Sequence, residues 1–176
     1  MYVSLKVKLL KKHVFHSFVQ KLYLIFIVSF SLGKSLNNIA NVYKNLGNYE
    51  SALAKYFEAL KIYGQTLTKN DPLIADTLYG IAGVYALKAK YNDALLTYIQ
   101  TLDFYRKNLP ENHPYIAQTI HNIGSCYDFQ GKLNDALDKY DESLKIKIKK
   151  LPQNHPSIRC TIRNIQSVKA RMRRNA

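Results

Sequence analysis

Acidic residues are missing from both ends of this chain. Residues 1–34 carry six lysines and no Asp or Glu, and residues 145–176 carry ten lysines or arginines and again no acid. The net charge of +14 is therefore a property of the ends, because all twelve acids lie in 35–144, against ten basic residues. A protein that grips a phosphate backbone spreads its basic groups along the binding surface. Nucleic acid thus ranks below protein as a partner, with an RNA contact by the basic tail as the residual case. Cysteine is scarce too: Cys126 and Cys160 stand alone, without CxxC or CxxH spacing. That excludes a disulfide framework and a zinc site, and both read as buried or half-buried thiols in a reducing compartment. Few glycines and prolines, no low-complexity tract and a hydrophobic share of 47% exclude a disordered chain. Catalytic motifs are missing as well, with no G-x-S-x-G, no glycine-rich phosphate loop and no HExxH. Asp135, Asp138, Asp141 and Glu142 cluster beside Lys132, Lys139 and Lys145, which reads as a solvated helix face rather than a carboxylate pair. The expectation is no enzyme, no cofactor and no metal.

What is present is repetition. LPENHP at Leu109–Pro114 returns as LPQNHP at Leu151–Pro156, and a fainter copy, LTKNDP, runs from Leu67 to Pro72. Pro72, Pro114 and Pro156 are 42 residues apart, and the same step links Leu36, Leu78, Ile120 and Ile162. It also links Ile39, Ile81, Ile123 and Ile165, the alanines 52, 94 and 136, and the tyrosines 56, 98 and 140. Fixed periodicity of this length marks a repeat architecture. Leu36, Ile39, Ala40 and Tyr43 form one helical stripe, and Ala52, Tyr56 and Leu60 a second. Gly47-Asn48 between them is turn chemistry, so each unit reads as two antiparallel helices. Alanines are expected where helix backbones approach closely, and tyrosines in the wider gaps. Each repeated proline belongs at the first position of a helix, with Asp71, His113 or His155 as the preceding cap. Ala89 stands where the other units have the turn glycine, and a somewhat different turn is expected there.

The series Leu36–Ile39–Ala40–Tyr43–Gly47–Tyr49–Ala52–Tyr56–Ala59–Leu60 resembles the tetratricopeptide repeat signature. The 42-residue period with LPENHP resembles its kinesin-light-chain type. The resemblance implies an all-α fold, a right-handed superhelix of antiparallel helix pairs. It would have three full repeats over 34–75, 76–117 and 118–159 and a final single helix over 156–172, followed by a basic tail at 173–176. That last helix reads either as a solenoid cap or as the start of a longer array. No heptad run is present to join a motor.

Residues 1–33 leave the register. Lys6, Lys8, Lys11 and Lys12 precede an apolar run from Leu22 to Leu32, which resembles a signal peptide ending in Ser31-Leu32-Gly33. Eleven apolar residues are too few to cross a membrane unless residues 14–32 all contribute. Three readings stay open: a signal or anchor, a helix capping the first repeat, and a poorly ordered extension.

A helical-pair solenoid offers a concave groove lined by the first helix of each unit. Residues between the apolar stripes face it: Lys34, Asn37, Asn38, Asn41, Lys44 and Asn45 in the first unit. Asp76, Tyr79, Gly80, Gly83 and Leu87 follow in the second, and Gln118, His121, Asn122, Ser125 and Phe129 in the third. The last helix adds Arg163, Asn164 and Ser167. Asn38, Asn122 and Asn164 form a ladder at repeat spacing, interrupted by Gly80. An amide both donates and accepts, so it can pair with the backbone of an extended peptide. The resemblance likewise implies a groove for short linear peptides gripped by asparagines. Lys34, Lys44, His121 and Arg163 bias it toward an acidic or C-terminal carboxylate ligand. The expected function is a non-catalytic protein–protein interaction scaffold, an adaptor in the cytoplasm. The alternative is a membrane-tethered or exported repeat protein, in the secretory pathway or on a membrane through residues 14–32.

Overall fold

The computed structural model describes residues 2–66 and 71–175, with side chains from residue 19 onward. Among the described residues there are seven helices and no strand: α1 Tyr2–Asn45, α2 Tyr49–Thr66, α3 Pro72–Leu87, α4 Tyr91–Asn108, α5 Pro114–Phe129, α6 Leu133–Lys150 and α7 Pro156–Asn175. Each packs on its neighbours in sequence, and α1 also meets α3. This is the stacked helix-hairpin solenoid.

Local chemistry sets the boundaries. Asp71 accepts from the Leu73 amide through Oδ1 at 2.9 Å, and His113 and His155 accept through Nδ1 from the amides of Tyr115 and Ser157 at 3.2 and 3.1 Å. Each cap precedes a proline that needs no amide partner. The two loops from Leu109 and Leu151 also close alike, with His113 N–H on Pro110 O and His155 N–H on Pro152 O. The matching stretch of LTKNDP, residues 67–70, lies outside the described residues. At the other end of each hairpin, Gly47 adopts φ 76°, with the Asn48 amide bonded to Tyr43 O and the Gly47 amide to Lys44 O. Those two bonds satisfy the last carbonyls of the helix. Ala89 corrects one expectation. It takes the same left-handed conformation, φ 56°, and the Lys90 and Ala89 amides bond Tyr85 O and Ala86 O in the same way. The turn is unchanged, and Ala89 carries the steric cost that glycine avoids.

Burial follows the period but depends on neighbours. Ala40, Ala52, Ala82, Ala94 and Ala136 are buried at the seams, with Tyr56, Tyr98 and Tyr140 between them. Ile81 and Ile123 are each 2% exposed, because each packs on the second helix of the preceding unit. Ile39, in the same register, is 44% exposed, since among the described residues no helix packs on that side of α1. Ile162 is 38% exposed because no second helix follows α7 among them. Cys126 is buried as expected, whereas Cys160 is exposed on α7.

Two boundaries differ from the sequence reading. α1 runs through residues 33 and 34 without a break, as nothing there ends a helix: Gly33 is the lone glycine and no proline is present. Its stretch 19–28 is exposed and covers nothing. At the other end α7 continues to Asn175, so Arg173 and Arg174 form its last turn rather than a tail.

Candidate functional site

Side chains from three first helices converge on one cavity of about 360 Å³. α1 supplies Asn37, Asn41 and Lys44, α3 supplies Asp76 and Tyr79, and α5 supplies Tyr115 and Gln118, with Tyr105 entering from α4. Because α1, α3 and α5 are the first helices of successive units, this is the inner curve of the solenoid. The cavity holds one cation and one carboxylate. Lys44 is half-buried, and burial lowers its pKa; its ammonium donates to Asn41 Oδ1 at 3.2 Å. The Tyr105 hydroxyl donates to Asp76 Oδ1 at 2.8 Å. Its pKa is raised by burial first and by that bond second. Tyr79 is also raised by burial, which outweighs the hydrogen bond it receives from Asn122.

Five of the sequence-derived groove residues therefore meet here: Asn37, Asn41, Lys44, Tyr79 and Gln118. Several already have internal partners. Asn37 Oδ1 accepts from Thr77 at 3.0 Å, and Asn41 Oδ1 accepts from the Tyr56 hydroxyl at 2.6 Å. Gln118 donates to Asn122 Oδ1 at 3.2 Å. In these three amides the carbonyl of Asn37, the carbonyl of Asn41 and the amino group of Gln118 are used. The amino groups of Asn37 and Asn41 remain for an incoming carbonyl.

The asparagine ladder does not act as one set. Asn38 is exposed, while Asn122 donates to the hydroxyls of Tyr79 (2.8 Å) and Tyr98 (3.3 Å) and accepts from Gln118. Asn164 lies 3.5 Å from His121 Nε2. Gly80 is no groove position. A Cβ there would fall 2.5 Å from the Tyr56 ring, so the missing side chain makes room for that tyrosine. Lys34 is exposed with its ammonium 5.5 Å from the Phe30 ring centre, and Asn45 and Arg163 are also exposed, away from the cavity. Ser125 accepts from the Tyr140 hydroxyl at 3.0 Å. Phe129 stacks on Tyr91 at the turn edge, ring centres 5.3 Å apart.

His121 requires a correction. It is 7% exposed, and burial, helped by the charge of Lys147, pushes its pKa down to about 4. Its Nδ1 lies 3.1 Å from Thr161 Oγ1, which donates to Ser157 O and accepts from Lys147. This network closes with the proton on Nδ1 and Nε2 free to accept from Asn164. The imidazole is neutral at pH 7 and adds no positive charge to the groove.

Tyr105 and Tyr115 are the residues the pattern missed. Tyr105 sits on a second helix, and Tyr115 follows the helix-starting proline, so neither belongs to a first-helix polar face. Their signal was the register, since Tyr63, Tyr105 and Lys147 share one place in successive units.

Sequence and structure comparisons agree with this architecture. Tetratricopeptide repeat models match residues 31–107 and 116–157. No curated protein matches the sequence. Among solved structures, the nearly identical TPR-like repeats of a Podosopora anserina protein described as a kinesin light chain share 20% identity at a TM-score of 0.70, covering 80% of this chain and 66% of that one. A Rap protein complexed with Competence and Sporulation Factor shares 18% identity at 0.69, covering 83% and 39%. The TPR2AB domain of yeast Sti1 in a pHSP90 complex shares 16% at 0.63, covering 82% and 49%. This chain thus spans less than two thirds of each of these chains. Two repeat models over most of the sequence, and helix hairpins stacked at the same period, place this chain in the tetratricopeptide repeat family.

Proposed function

We propose that this chain is a protein-interaction scaffold that binds an extended peptide segment along the inner curve, centred on the cavity between α1, α3 and α5. One observation carries the reading: three successive first helices present free amide donors and aromatic walls to one concave space. Asn37 and Asn41 can donate to a peptide backbone, while Tyr79, Tyr105 and Tyr115 offer apolar faces to its side chains. Two of the similar structures are complexes with a partner, which supports the same use of this fold. The kinesin-light-chain-like period is consistent with an adaptor role, and the cytoplasm is the compartment that role implies. Modest contact area predicts an affinity of about micromolar. The test is a peptide-array screen with the full chain, followed by Asn37→Ala, Asn41→Ala and Tyr79→Ala. Ligands that lose about tenfold affinity with these variants support the reading; ligands indifferent to all three, or no ligand, overturn it.

A second reading rests on α1. Val19, Leu22, Tyr23, Leu24, Ile25, Phe26, Ile27 and Val28 are all exposed, so the helix is apolar on every side. From Val19 onward it is long and apolar enough to cross a membrane. Lys6, Lys8, Lys11 and Lys12 precede this run and suit an anionic lipid surface. We propose that residues 14–32 tether the array to a bilayer. Flotation with phosphatidylcholine–phosphatidylglycerol vesicles checks this. The full chain is expected to float and a chain lacking residues 1–32 to stay down, and equal behaviour of the two contradicts it.

A further inference from the structure

Lys147 sits where two earlier units carry tyrosine. Tyr63, Tyr105 and Lys147 occupy one place near the end of each second helix. In the second unit the Tyr105 hydroxyl donates to Asp76 on α3. Forty-two residues on, the counterpart of Asp76 is Gln118. A phenol beside a carboxylate has become an ammonium beside an amide.

The ammonium is deeply placed. Lys147 is 4% exposed, and its hydrogen bond is to Thr161 Oγ1 at 2.9 Å. Among the described residues no carboxylate forms an ion pair with it. The groups facing it are neutral or cationic: His121 and Gln118 from α5, Thr161, Ser157 and the Cys160 thiol from α7, and Lys150 on its own helix. Burying a charge without a counter-ion is costly, and a tyrosine, as in the preceding units, would fill the place without that cost.

Lys147 also lines a second cavity, of about 340 Å³, with Gln118, Tyr115, Lys150, His155 and Ser157. Gln118 and Tyr115 line the groove cavity as well, so the two spaces are continuous along the inner curve. We propose that this second cavity is a carboxylate subsite, in which Lys147 supplies the missing half of an ion pair to a peptide's free C-terminus or to an Asp or Glu side chain. Lys150 adds a second positive charge at its edge, and Gln118 supplies an amide donor. The subsite rests on the groove reading and gives it polarity, with the neutral amides of α1 holding the backbone and the α6–α7 end holding the acid.

Burial lowers the Lys147 pKa to about 8, so a bound carboxylate must raise it. Affinity for the acid is then full below pH 8 and declines as pH rises above it. His121 stays neutral from about pH 5 upward and does not contribute across that range.

The experiment follows the Cε signals of the full chain labelled with 13C-lysine through a pH titration. Four probes are used at millimolar concentration: acetyl-pentaalanine acid, its amide, the amide of acetyl-Ala-Ala-Glu-Ala-Ala, and free glutarate. The expected result is that at least one peptide acid raises the Lys147 pKa by about a unit or more, while the neutral amide leaves it unchanged. Which acid acts distinguishes a C-terminal carboxylate from a side chain. Lys147→Tyr and Lys147→Met are expected to lose about tenfold affinity for that acid while melting at or above the parent temperature. A Lys147 signal unmoved by every acid, or full acid binding by both variants, overturns the subsite. Binding of acid and amide alike, insensitive to Lys147, overturns the subsite and leaves the groove reading intact. A shift with glutarate but with neither peptide acid supports the carboxylate site and overturns the groove.

Discussion

Ile39 and Ile81 have the same place in their helices, the same side chain and the same flanking alanine, yet one is largely open and the other buried. The difference is the neighbour. Ile81 rests on α2, in the cluster with Ala52, Leu53 and Tyr56, whereas α1 has no described helix on its outer side. In a solenoid the unit of stability is therefore the seam between repeats as much as the repeat itself. The same lesson applies to polar groups. Asn122 looks like a ligand-gripping amide by register, but its partners are Tyr79 and Tyr98 of the preceding unit.

The largest expected effect breaks that comparison directly. Ile81→Ala should lower stability by about 2–4 kcal/mol through the cavity left against α2, and Ile39→Ala by less than about 1 kcal/mol, as measured by urea unfolding. Equal losses would mean that seams do not govern burial.

Next comes acid. His121 has its folded pKa held near 4, below the usual value of 6.5. The unfolded chain therefore takes up a proton as pH falls through 6.5, while the folded chain refuses it until about pH 4. Stability is lost across that window, by about 2 kcal/mol between pH 7 and 5. His121→Gln should flatten this part of the curve in urea midpoints taken at the two pH values. An undiminished slope would show that the buried cluster at the α5–α7 seam is not its source.

The smallest effect concerns the turns. Ala89→Gly removes a left-handed alanine that the first and third units avoid, and should stabilise by about 0.5–1 kcal/mol after the entropy of the added glycine is subtracted. Gly47→Ala should cost a similar amount. A rise in melting temperature for the first and a fall for the second is the expected pair.

The architecture was legible because its determinants are periodic. Pro72, Pro114 and Pro156, the preceding caps and the alanine seams recur every 42 residues, so their structural roles could be read from spacing. Polar side chains were less legible, since an amide's partner lies on another unit and depends on identities that vary between repeats. Gln118, Asn122, Tyr79 and Tyr98 form one set of contacts, but no fixed step connects their sequence positions. His121 was taken for a cation because its depth, set by Tyr140, Lys147 and Thr161, is invisible in the pattern of α5 alone. Ala89 was expected to alter its turn, yet the hydrogen bonds of the neighbouring units were strong enough to hold the same geometry.

The central claim is that a peptide lies along the inner curve between α1, α3 and α5. Amide shift mapping of the 15N-labelled chain with a ligand from the peptide array tests it most directly. The account predicts perturbations concentrated at Asn37, Asn41, Lys44, Tyr79, Tyr115 and Gln118, fading along α2 and α6. Perturbations centred on the outer faces of α2, α4 and α6, with these residues silent, would contradict it.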